Sequence, residues 1–140
     1  MPITLEFSEN GYVAHYVFNG TWNASELLPL YEREGAHRKS VSHVVHTLID
    51  ILKMANIPPN AITASRKSPT FSSKNDGQLV IVGAKGYARN LAELICKLTH
   101  YTKVKFADGE DEAWTYLRAL IPADPAHNAQ SEAESAPARI

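Results

Sequence analysis

The chain has 140 residues, of which 44% are hydrophobic and 21% charged, and its formal net charge is -1. These values fit one globular domain and remove the electrostatic reason to expect a nucleic-acid or anionic-membrane partner. Cys96 is the single cysteine, which excludes an intramolecular disulfide. No charged segment followed by an apolar core opens the chain, and apolar runs such as Leu79-Val80-Ile81-Val82 are far too short to span a bilayer. A cytoplasmic location without membrane insertion is the resulting expectation.

Ile3, Leu5 and Phe7 alternate with polar residues, the pattern of a half-buried strand. Glu9-Asn10-Gly11 supplies a turn, because Asn and Gly tolerate positive φ. Residues 12–18 are aromatic and β-branched and predict a second strand, antiparallel to the first. Asn23 or Ser25 can cap a following helix, but Pro29 disturbs its entry. The sequence therefore predicts either an irregular turn first or a helix from about Pro29 to Arg38, with Leu27, Leu30 and Tyr31 facing inward and Glu34 at the same spacing.

His43–Leu52 is apolar without alternation, as in an interior strand covered on both faces. A short helix over Pro59–Arg66, a polar loop over 67–78 and a buried strand at Gln78–Val82 follow. Tyr87, Leu91, Leu94, Ile95 and Leu98 form an apolar stripe that predicts a helix over 87–100 packed through that stripe. After a short strand at Lys103–Phe106, Asp108 is placed to cap a last helix with Glu110, Asp111 and Glu112 in its first turn, where the dipole favours acids. Trp114, Leu117, Leu120 and Ile121 form its expected buried face and Pro122 ends it. The expected domain is 1–121, followed by a disordered tail over 122–140 that is rich in Ala, Ser, Pro and Glu. The order β-β-α-β-α-β-α-β-α predicts an α/β fold with a mixed sheet: an N-terminal hairpin, then βα units joined by right-handed crossovers.

Four segments carry a resemblance to a known family. These are Phe18-Asn19-Gly20-Thr21-Trp22-Asn23-Ala24-Ser25, Leu48-Ile49-Asp50-Ile51 through Ile57-Pro58-Pro59-Asn60-Ala61, Val80-Ile81-Val82-Gly83, and the acidic helix start with its sequel from Phe106 to Leu117. In this order, over about residues 3–121, the chain resembles STAS domains, the family of anti-sigma-factor antagonists. The resemblance implies a STAS-like mixed sheet and a role in regulatory protein–protein interaction. In signalling members a Ser or Thr at the start of the second helix is phosphorylated. The matching positions here are Pro58, Pro59, Asn60 and Ala61, none with a hydroxyl, while Thr63 and Ser65 lie further into the helix. The resemblance therefore implies a member without the usual phospho-switch.

Chemistry is not legible in the pattern. Gly83-Ala84-Lys85-Gly86 follows a strand but lacks both the dinucleotide-binding glycine spacing and a Walker lysine–serine pair, so the glycines read as a tight turn with close packing. His43 and His46 are expected on opposite faces of one strand, and with a single Cys no metal set of recognisable spacing exists. Asp50 sits toward the end of a central strand, where α/β folds place ligands, with no titratable partner near in sequence and loop capping as its simplest role. Cys96 reads as a buried inert thiol, Trp114 as core, and Trp22 equally as core or interface anchor.

The sequence thus predicts a non-catalytic module with no cofactor, metal or catalytic residues. It binds a regulatory protein through Asp50, Pro58, Pro59, Asn60, Ala61, Gly83, Ala84, Lys85 and Gly86. Two alternatives stand beside it: a small-ligand or lipid-binding domain using the strand-end crevice, and a homodimer formed through the edge of the first strand or through Tyr12, Tyr16 and Trp22.

Overall fold

The computed structural model describes residues 2–122; all but Pro122 of the expected tail lies outside them. The strands are β1 (Ile3–Ser8), β2 (Val13–Gly20), β3 (Val45–Met54), β4 (Asp76–Val82) and β5 (Val104–Ala107), and the helices are α1 (Leu27–Ser40), α2 (Ala61–Ser65), α3 (Gly86–Leu98) and α4 (Glu110–Leu120). Short 3-10 turns at Ala24–Glu26 and Pro69–Phe71 precede α1 and interrupt the 67–78 loop. The irregular turn before α1 leaves Pro29 in the helix's first turn, where its missing N–H has no intrahelical partner to lose.

The five strands form one sheet in the order β1-β2-β3-β4-β5. β1 and β2 are antiparallel, and every later pair is parallel. Right-handed crossovers advancing steadily in one direction must all fall on one side of a sheet. Accordingly, Leu27 and Leu30 of α1, and Ala61 and Ala64 of α2, pack with Ala14, Tyr16 and Phe18, while Cys96 of α3 packs with Leu79 and Ile81. Strand side chains of opposite parity meet only the last helix: Val13, Leu48, Val80 and Val82 pack against Ala113 and Leu117 of α4. Three helices therefore share one face, and α4 covers part of the other.

Several expectations shift. β3 begins two residues later and runs two residues further than predicted, so His43 precedes it and the view of His43 and His46 as two faces of one strand does not hold. The α3 helix packs through Ala88, Ala92, Ile95 and Cys96, and Tyr87, Leu94 and Leu98 of the expected stripe are exposed. On α4, Leu120 is exposed as well, and Gly109, not Asp108, occupies the N-cap position. A neighbouring acid still closes that end: the Asp108 N–H donates to Glu112 Oε1 at 3.1 Å.

Beneath α1 lies a buried ionic network. Glu34 is fully buried and pairs with Arg38 one turn on, Nε to Oε2, at 2.7 Å. Arg38 Nη2 donates to Thr47 Oγ1 at 2.8 Å, Thr47 and Thr70 hydroxyls meet at 2.9 Å, and Thr70 donates to Glu34 Oε2 at 2.7 Å. Tyr16 donates to the other Glu34 oxygen. Every polar group in this loop has a partner, which a buried ion pair requires. Burial and the facing Glu34 charge together hold the Tyr16 phenol well above its ordinary range.

Candidate functional site

The proposed residues gather where the parallel strands end. Asp50 lies opposite Val82, the last residue of β4, so its carboxyl stands beside the β4–α3 loop that begins at Gly83. Gly83 has φ +86°, and a Cβ placed there would come within 2.7 Å of Leu52 Cδ2. Only glycine permits this backbone beside that side chain. Leu52 itself is 52% exposed, Lys85 and Gly86 are exposed, and Tyr87 is 68% exposed at the start of α3. Two large apolar side chains thus project at this end of the sheet.

The 58–61 loop reaches the same end from the other face. Trp22 fixes its approach: its backbone N–H donates to Asn56 Oδ1 and its indole Nε1 to the Asn56 carbonyl, both at 2.9 Å. Asn56 Nδ2 returns a bond to the Trp22 carbonyl at 3.0 Å. This double clamp ties the segment after β2 to the segment after β3. Pro58 and Ala61 are buried while Pro59 and Asn60 are exposed, and Asn60 takes a left-handed φ of +68° at the N-cap of α2. Asn is among the few residues that tolerate this conformation.

Asp50 has partners that no local reading could supply. It is 8% exposed and points to the α4 face; its Oδ1 accepts from the Leu52 N–H at 2.9 Å. Burial, and then hydrogen bonding to Glu110, push its carboxyl up to about 6. Glu110 is held below its ordinary range, chiefly by the hydrogen bond from Asp50, and also accepts from Trp114 Nε1 at 3.0 Å and meets His15 Nε2 at 3.2 Å. Of these two neighbouring carboxyls, Asp50 is the one held toward its neutral form and Glu110 the one held toward its ionised form. The acidic first turn of α4 therefore does more than balance the helix dipole: through His15 it latches α4 to β2.

Other sequence-derived candidates fall elsewhere. Trp22, Tyr12 and Tyr16 are all buried, so the aromatic dimer surface built on them does not exist; β1 is nonetheless an edge strand. His43 stacks on Tyr12 with centroids 3.8 Å apart, and His46 Nδ1 accepts from the Gln78 N–H at 2.9 Å; both line one shallow cleft near the strand N-termini. Burial lowers the His46 pKa. Among the described residues no group of three or more His, Cys, Asp or Glu side chains is placed to hold a metal ion. Cys96 is buried, and burial pushes its thiol up to about 11. No helix among the described residues is long and apolar enough to cross a membrane.

No family model and no curated protein matches this chain. Among solved structures, the chain is similar to an uncharacterised protein of the DUF3478 family with a SpoIIAA-like fold, from Shewanella loihica PV-4. The match has a TM-score of 0.56 at 19% identity and covers 82% of this chain and 91% of that one. The fold is therefore STAS-like, as the order of segments in the sequence implied.

Proposed function

We propose that this STAS-like domain is a non-catalytic regulatory module of the cytoplasm that binds a protein partner through the surface at the C-terminal ends of its parallel strands. The observation that carries the reading is the outward projection of Leu52, beside Gly83, together with Tyr87 across the β4–α3 loop. Exposed apolar side chains rimmed by polar residues such as Lys85 and Asn60 are the usual make-up of interface anchors. Asp50 beneath this surface is buried and held toward its neutral form, which fits binding better than catalysis. Positions 58–61 carry no hydroxyl, so the reading assigns no phosphorylation to those positions; the nearest hydroxyl is that of Thr63, the exposed third residue of α2.

The test is capture from the native lysate with wild type and Asn60→Arg, each first shown to be folded by circular dichroism. The reading expects one specific protein recovered by wild type and lost with the variant. Equal recovery by both would remove this surface from the account.

A further inference from the structure

The face carrying three helices is incompletely filled. α2 and α3 meet the sheet through small side chains, Ala61 and Ala64 on one and Ala88, Ala92 and Cys96 on the other. Between them and the sheet lies a cavity of about 130 Å³, floored by Ile49, Ile51 and Ile81 and ringed by Trp22, Tyr31 and Phe71. It is open to solvent on one side, a lined pocket and not a sealed void, and apolar spaces of about 150 Å³ are large enough to take up benzene.

The lining sets the chemistry of an occupant. It contains no Lys, Arg, His, Asp or Glu. Five hydroxyls lie in its lining: those of Tyr16 and Thr70 already donate to Glu34, Ser68 Oγ accepts from the Thr70 N–H, and Tyr31 and Ser65 complete the set. An anion or ammonium entering here would lose its hydration with no opposite charge and only a few hydroxyls in exchange, so phosphates, nucleotides and ionised carboxylates are disfavoured. We infer that the cavity is a binding site for a small uncharged molecule, one aromatic ring or a short alkyl chain in size, entering between α2 and α3. The site is separate from the strand-end surface proposed above and stands or falls independently of it. The apolar arc of α3 is wider than the surface it covers, since Tyr87, Leu94 and Leu98 are exposed beside the cavity-facing Leu91 and Ile95.

The experiment uses the full chain with toluene, indole and 1-hexanol as neutral probes and sodium hexanoate at neutral pH as the charged control. Thermal unfolding and methyl NMR read the outcome. The inference expects neutral probes at ten times their Kd to raise Tm by about 4 °C, hexanoate to have no effect, and toluene to show nuclear Overhauser contacts to Ile51 and Ile81 methyls. Ala92→Leu, which fills the void, should fold with an equal or higher Tm and lose the probe shift. If that variant does not fold, the toluene contacts in wild type decide alone: their presence supports the site and their absence overturns it. The inference is also overturned if no neutral probe binds wild type, if hexanoate binds as well as hexanol, or if folded Ala92→Leu binds undiminished.

Discussion

Glu34 and Arg38 show how a single charged pair can be both hidden from sequence reading and indispensable to the fold. The i, i+3, i+4 spacing placed Glu34 on the same stripe as Leu27, Leu30 and Tyr31, but a carboxylate on a helix reads by default as solvent-facing. Its burial depends on Thr47, Thr70 and Arg38, two of which come from other elements, so the signal was present and its meaning was not. Glu34→Ala would strand the Arg38 guanidinium in the interior. A loss of about 3–5 kcal/mol is expected, measured by urea unfolding; a loss within experimental error would show that water reaches Arg38. Trp22 was undecided in sequence because a turn can present or bury a ring. The clamp to Asn56 buries it, and Trp22→Ala should cost about 3–5 kcal/mol by the same measurement.

The helices divide by how well their periodicity predicted their packing. Those on α1 and α2 face as their apolar positions indicate, whereas α3 carries more apolar surface than the sheet takes, so its stripe predicted a helix correctly and its buried side only in part. α4 brings Glu110 into the surroundings of Asp50, 60 residues away in sequence, which no local pattern could join. That pair gives a signed pH dependence. Asp50 titrates at 3.8 in the unfolded chain and at about 6 in the fold, so its protonated form favours folding. This contribution is complete below 3.8 and is lost as the pH rises through about 6. Glu110 acts in the opposite sense: its contribution is present above 4.5 and lost as the pH falls through its lowered folded value. In Asp50→Asn the amide keeps a donor for Glu110 and cannot ionise. The variant should exceed wild type in stability at pH 7.5 by on the order of 1 kcal/mol, with the difference vanishing by about pH 4. His46, whose neutral form favours folding, contributes equally to both proteins and cancels from the comparison. A difference independent of pH would contradict the raised titration of Asp50.

At the scale of the molecule, an opening hairpin and unbroken βα alternation were enough to indicate a mixed sheet with a STAS-like order, because crossover handedness leaves few ways to connect such elements. The same steady order places α1, α2 and α3 on one face. The sequence could not show that α4 alone would cover part of the other, or that Leu52 and Tyr87 would project at the strand ends. Leu52 lies within the part of β3 that extends to Met54, close beside Gly83. The strand-end residues were proposed because α/β folds concentrate binding there, while Leu52 was not among them because an apolar residue in an apolar strand reads as core. The most direct test of partner binding at this surface is hydrogen–deuterium exchange of the full chain with and without the captured protein. The account predicts added protection confined to backbone amides around Leu52–Lys53, Asn60–Ala61 and Lys85–Tyr87. Protection along β1 or on the outer side of α4, with none at the strand ends, would contradict it.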